Sequence, residues 1–140
     1  MEPHLIESID LELALLIRHL TSLKTSRTSP NLDRSAYLLL QYIHNHESVG
    51  VKTLADALRL DVSTASRQAA ALEQKGYVFR TPDPQDGRAY FLKLTDLGRE
   101  DFFAYKVFRQ TRILEITEGW PDEDRAKFGE LLHKFNQGLR

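Results

Sequence analysis

A chain of 140 residues is one domain's worth of sequence, and an apolar content of 41% is enough for a packed core, so the chain need not be disordered. There is no cysteine, which removes disulfides, thiolate nucleophiles and Cys-ligated zinc together. Net charge is −1 but unevenly spread: residues 24–93 hold 10 Lys/Arg against 7 Asp/Glu, the remainder 9 against 13. A mildly basic middle is what contact with phosphate requires, and ordinary scatter of surface charge produces the same count.

The first segment repeats Leu5, Ile6, Ile9, Leu13, Leu16, Ile17 and Leu20 at three- and four-residue steps, which predicts an amphipathic helix with a wide apolar face. Glu2, Glu7, Asp10, Glu12 and Arg18 interrupt it, so no secretory signal is expected. No apolar run approaches the roughly 20 residues that span a bilayer, so neither a membrane role nor a location outside the cytoplasm is expected. Thr21 to Pro30 reads as a loop. A second helix is expected from about Asp33 to His46, with Tyr37, Leu38, Leu40 and Ile43 inward.

After Gly50 a short helix runs from about Lys52 to Leu58, and Arg59-Leu60-Asp61 forms a tight connection. Asp61 is placed to cap the next helix with its carboxylate, and that helix ends at Gly76. Tyr77–Arg80 and Ala89–Leu94 read as two strands. Pro82, Pro84 and the Asp86-Gly87 dipeptide make the segment between them a hairpin turn. Thr95 or Asp96 starts a long helix reaching about Thr117. Gly119-Trp120-Pro121 breaks the chain, and the acidic run after Pro121 starts a last helix carrying Phe128, Leu131, Leu132, Phe135 and Leu139. Two short helices across a tight turn, followed directly by a hairpin, make a winged helix-turn-helix.

On a helical wheel of residues 62–75, Val62, Ala65, Ala69 and Leu72 fall on one side and are expected in the core. The other side carries Ser63, Thr64, Arg67, Ala70, Ala71 and Gln74, with no carboxylate and one long cation. Glu73 lies towards the flank. A helix entering a major groove wants small residues, hydroxyls for phosphates or base edges, and an Arg for guanine. An Ala-rich helix selected for propensity looks similar. At the hairpin, Arg88 is placed to enter a minor groove. Asp86, two residues back on the same side of an extended chain, is placed to hold its guanidinium. The same two residues could form a surface ion pair without function.

Four motifs in this order and spacing resemble the MarR family of transcriptional regulators: Ser63-Thr64-x-Ser66-Arg67, Leu72-Glu73-x-x-Gly76, Asp83-x-x-Asp86-x-Arg88 and Leu94-Thr95-x-x-Gly98. The match is strong over about residues 35 to 98, and the flanking helices match in placement only. The resemblance implies a mainly α fold with a two-stranded wing. It implies one domain over 1–140, with a DNA-binding lobe at about 33–98 and dimerisation helices at about 4–21 and 96–139. It implies a homodimer whose paired recognition helices bind a pseudo-palindrome in double-stranded DNA. Ser63, Thr64, Ser66 and Arg67 would meet the major groove or its phosphates, and Arg88 the minor groove with Asp86 as partner. Repression relieved by a small aromatic acid-like effector is also implied, in a pocket walled by Leu16, His19, Leu20, Tyr37 and Phe102 or Phe103. Residues of these kinds are equally at home in a core or an interface. The family's oxidation-sensing branch is excluded by the absence of cysteine.

No Ser/His/Asp spacing, phosphate-binding glycine loop or apolar pair of carboxylates is present, so no enzyme and no cofactor are expected. His44 and His46 fall about 200° apart on a helix and cannot chelate one ion, so no metal site is expected. The rival reading is a winged helix used as a protein-interaction module or double-stranded RNA binder. Such a module would more often show an apolar or mixed-charge recognition face.

Overall fold

A computed structural model of the chain describes residues 2–22 and 32–139. The elements in order are α1 (Pro3–Ser22), α2 (Arg34–His46), β1 (Val49–Gly50), α3 (Val51–Leu58), α4 (Val62–Gln74), β2 (Val78–Asp83), β3 (Asp86–Leu94), α5 (Asp96–Ile116) and α6 (Asp122–Gly138). The expected loop at Thr21–Pro30 begins inside α1; its part from residue 23 onward lies outside the described residues. The chain divides into two compact units, Met1–Tyr105 and Lys106–Arg140, with α5 contributing to both.

In the first unit α2, α3 and α4 pack on a three-stranded antiparallel sheet of order β1-β3-β2. Leu40, Ile43, Leu54, Ala55, Ala65, Leu92 and Phe102 are completely buried and form the centre of one core. α2 begins where Asp33 Oδ1 accepts the Ala36 N–H at 2.8 Å, satisfying an amide that has no partner in the first turn. α3 closes on Arg59, which adopts a left-handed backbone (φ 56°) and lets the chain turn sharply into α4.

Four sequence expectations need correction. The inward face of α2 carries Leu39, whereas Leu38 is 54% exposed. Leu39, Leu40 and Ile43 share one side of the helix at spacings of one, three and four, and Leu38 points nearly opposite. Val62 is exposed although it shares the stripe of Ala65, Ala69 and Leu72, because it is the first residue of α4 and the core ends before reaching it. The hairpin turn is Pro84-Gln85, flanked by the pair Asp83↔Asp86, and Asp86-Gly87 opens β3. Asp83 Oδ1 accepts the Gln85 N–H at 2.9 Å and an irregularity at Pro82/Asp83 resets the register, so the aspartate side chain makes the turn that Gly87 was expected to make. Finally, the sheet has a third strand: Val49 pairs with Leu92 and Gly50 with Phe91. Two residues are too few to show the alternation that announces a strand.

The start of α5 is clasped to the end of α4. Thr95 Oγ1 accepts the Gly98 N–H at 2.9 Å and donates to the Gly76 carbonyl at 2.5 Å, while Thr95 N–H donates to the Tyr77 carbonyl at 3.0 Å. Gly98 lies so close to Tyr77 that a Cβ there would fall 2.0 Å from the Tyr77 carbonyl oxygen. Gly76 itself takes φ +83°, the left-handed conformation that ends α4.

In the second unit Gly119 (φ +82°) turns the chain, and Arg125 ties the turn to α6. Its guanidinium donates to Thr117 Oγ1 at 3.0 Å, to the Thr117 carbonyl at 2.9 Å and to Asp122 at 3.0 Å. Phe128, Leu131, Leu132, Phe135 and Leu139 of α6 are all exposed, and so, in the first unit, are Leu5, Ile6, Ile9, Leu16 and Leu20 of α1.

Candidate nucleic-acid interface

The outward side of α4 is built by the requirement that Ala65, Ala69 and Leu72 go inward. That leaves Ser63, Arg67, Ala70, Ala71 and Gln74 exposed on one face, with Thr64 and Ser66 half-buried at its margins. Small side chains leave the helix backbone accessible along this face. The exposed amides of its first turn also favour anionic groups. Arg67 Nη2 donates to Thr64 Oγ1 at 3.2 Å, which holds the guanidinium along the helix surface.

Asp61 departs from the expected cap. Its carboxylate makes no bond to the amides of α4 and instead accepts the Ser63 hydroxyl at 2.5 Å. The Ser63 and Thr64 hydroxyls hold its carboxyl below the ordinary aspartate range, with the Arg67 charge acting in the same direction. A carboxylate therefore stands at the leading edge of the face.

Beside α4 stands the wing. Arg88 is the third residue of β3 and exposed, three residues beyond Gln85 of the Pro84-Gln85 loop. Asp86 meets it through the backbone: Asp86 Oδ1 accepts the Arg88 N–H at 3.0 Å, and the carboxylate does not pair with the guanidinium. Residue i+2 of an Asp-started turn presents its amide to the carboxylate, and that short bond outcompetes a reach to the end of a long side chain. Ser63, Thr64, Ser66 and Arg67 thus share α4, Arg88 is exposed on the wing, and Asp86 braces the strand start.

The four expected effector-pocket residues lie on two helices, α1 and α2. Leu16, His19 and Leu20 are exposed on α1. Tyr37 is half-buried in the lobe and stacks on Phe102 (centroids 5.4 Å apart) and Tyr105 (5.2 Å). A separate open cleft of about 460 Å³ is lined by Ile43, His44, Glu47, Phe79, Lys93, Leu94 and Arg99. His44 faces the Phe102 and Phe103 rings, whereas His46 stacks on Tyr42 and bonds its carbonyl at 2.8 Å, so the two imidazoles are engaged apart from each other. Among the described residues no group of three or more His, Asp or Glu is arranged to hold a metal ion, and no helix is long and apolar enough to cross a membrane.

Residues 32–90 match the MarR family. Over 135 residues the chain is 39% identical to YxaD, an uncharacterized HTH-type transcriptional regulator of Bacillus subtilis, covering 96% of this chain and 94% of that one. The chain belongs to the MarR family. Its fold is similar to that of Streptococcus pneumoniae FabT, solved in complex with DNA (TM-score 0.78, 24% identity, 96% of each chain covered). It is also similar to the PcaV transcriptional regulator of Streptomyces coelicolor, solved with its natural ligand (TM-score 0.73, 20% identity, 94% and 92% covered). This is a family of transcriptional regulators and not of enzymes.

In this MarR-family chain two features of the interface were invisible to spacing arguments. One is Asp61, whose carboxylate was assigned to the backbone. The other is a contact between α4 and the wing: Arg80 Nε lies 3.0 Å from Glu73 Oε1, and its guanidinium carbon is 4.2 Å from the Tyr90 ring centroid. The only sequence signal for it was the flank position of Glu73.

Proposed function

We propose that the protein is a homodimeric repressor that binds a pseudo-palindromic operator in duplex DNA. The observation that carries this is the α4 face: Ser63, Arg67, Ala70, Ala71 and Gln74 exposed together, free of carboxylates along its length, beside a wing presenting Arg88. Ser63, Thr64, Ser66 and Arg67 act in the major groove and Arg88 in the adjacent minor groove, where narrow A·T-rich sequence concentrates negative potential. Asp86 braces the start of β3 behind Arg88. The DNA complex of FabT supports the same use of the fold.

Dimerisation rests on the helices outside the lobe. The lobe occupies about residues 33–98, and the helices at about 4–21 and 96–139 supply the partner surface. Their exposed Leu, Ile and Phe residues form apolar faces far larger than scattered surface hydrophobics account for. A two-fold axis then presents two α4 helices to successive major grooves about 34–36 Å apart. Work inside the cytoplasm follows from a DNA target. A small aromatic acid-like effector, held by Leu16, His19, Leu20 and Tyr37, releases the operator; the ligand complex of PcaV is a precedent in this fold.

The test is an anisotropy titration of the purified protein on duplex DNA from upstream of its own gene and on duplexes selected from random sequence, at two salt concentrations with competitor. Tight, competitor-resistant binding with a steep salt slope is expected. Binding no tighter than to random DNA, with selection failing as well, refutes the operator reading and favours a protein-interaction or double-stranded RNA role. Release by added aromatic carboxylates, lost in Tyr37→Ala, tests the effector.

A further inference from the structure

Arg80 joins three elements. It lies on β2, its Nε–H donates to the Glu73 carboxylate in the last turn of α4, and its guanidinium covers the Tyr90 ring of β3. Arg80 pairs with Leu92 and Tyr90 with Pro82, so Arg80 and Tyr90 are diagonal neighbours on one face of the ladder. The planar, forked guanidinium makes both contacts at once, laying its face on the ring while an edge N–H meets the carboxylate. Both charged side chains are about 40% exposed (42% and 38%), so the ion pair by itself adds little to folding stability.

Its place in the wing gives it a larger consequence. From Thr81 through Ala89 not one residue is buried, so core packing does not fix the direction of the outer wing. That direction is set at the base, where Arg80 stands. Arg88 is four residues along β3 from Leu92, the partner of Arg80. At about 3.4 Å per residue this is a lever of roughly 14 Å, and a tilt of about 10° at the base displaces the Arg88 backbone by about 2.4 Å. That displacement is enough to lose a hydrogen bond.

We propose that Arg80, through Glu73 and Tyr90, is a positioning residue that holds the wing at a fixed angle to α4, so that Arg88 and Arg67 reach adjacent grooves together. The inference rests on the DNA-binding reading above.

The experiment uses the full-length protein and a duplex selected by the wild type, with A·T-rich flanks. Arg80→Met, Glu73→Gln and the wild type are each compared with and without Arg88→Ala, and with and without Arg67→Ala, by anisotropy; thermal melts check that each variant folds. In the wild type, Arg88→Ala should weaken binding about tenfold, the size of one groove contact. In Arg80→Met the affinity should already be about tenfold lower, and Arg88→Ala should add less than about twofold, while Arg67→Ala keeps its full cost. Glu73→Gln should fall between. A merely destabilising role lowers the active fraction and leaves the cost of Arg88→Ala unchanged, which overturns the proposal. So does a uniform loss in Arg80→Met with the salt slope smaller by about one, which makes Arg80 a phosphate contact. If Arg80→Met does not fold, Glu73→Gln decides: an undiminished Arg88 cost there refutes it. Failure of the wild type to select any duplex appears before any variant is compared, and removes the regulator reading together with this one.

Discussion

Gly98→Ala replaces one hydrogen with a methyl group at the point where α5 crosses the chain leaving α4. The added Cβ falls 2.0 Å from the Tyr77 carbonyl oxygen, 2.9 Å from its carbonyl carbon and 3.1 Å from its Cα, all backbone atoms that cannot rotate away. Relief to the 3.4 Å of ordinary contact requires α5 to retreat by about 1.4 Å. That retreat stretches the Thr95 N–H bond to Tyr77 from 3.0 Å and the Thr95 hydroxyl bond to Gly76 from 2.5 Å beyond useful range. Overpacking costs about 1–3 kcal/mol and each lost hydrogen bond about 1 kcal/mol. Better helix propensity returns at most about 1 kcal/mol. The expected net loss is about 2–4 kcal/mol, or roughly 6–16 °C in Tm for a chain of this size. Urea unfolding followed by circular dichroism, at fixed protein concentration, measures it. Gly129→Ala in α6 is the contrast, since nothing within 4 Å meets its Cβ; it should be neutral or stabilising by up to about 1 kcal/mol. A Gly98→Ala protein as stable as the wild type would refute the reasoning.

Arg67→Ala should cost about 1–3 kcal/mol of operator affinity and relax preference at one base pair, as read by anisotropy on single-substituted duplexes. A loss equal on every sequence counts against a base contact. Arg88→Ala should weaken binding chiefly on sites with A·T-rich flanks, and equal loss on G·C-rich flanks argues against minor-groove insertion. Because the Ser63 and Thr64 hydroxyls hold the Asp61 carboxyl below its ordinary range, the stability it lends is fully present above about pH 3.9, and it is lost as pH falls through the lowered native value. Asp61→Asn should therefore narrow the gap between urea midpoints measured near neutral pH and well below pH 3.9, and an unchanged gap refutes this. Leu131→Glu, on the exposed apolar face of α6, should shift sedimentation from dimer to monomer; an unaltered mass removes α6 from the interface.

Much of the fold was legible because each helix carries its own punctuation. Asp33, Gly76, Thr95 and Pro121 mark the ends of helices whose apolar period is plain, and the observed boundaries agree within a residue or two. The outer face of α4 was legible for the same reason: once Ala65, Ala69 and Leu72 are inward, the wheel leaves Ser63, Arg67 and Gln74 outside. The errors fall where two physical options were locally equivalent. Leu38 and Leu39 are equally apolar, and only the position of the core chose between them. Asp61 had two acceptors' worth of work available, and the nearby hydroxyl won over the amide. Asp83 and Asp86-Gly87 both read as turn residues, and the strand register selected Pro84-Gln85.

The sequence by itself determined the kind of elements, their order and the chemistry of the α4 face, because periodicity, capping and turn preference act over a few residues. Tertiary structure alone decided that β1 exists, since a two-residue strand is defined only by Leu92 and Phe91 opposite it. It alone brought Glu73, Arg80 and Tyr90 together from a helix and two strands, and pressed Gly98 against Tyr77. Those contacts join residues whose separation along the chain carries no period, so they arise only once the core has fixed where each element lies.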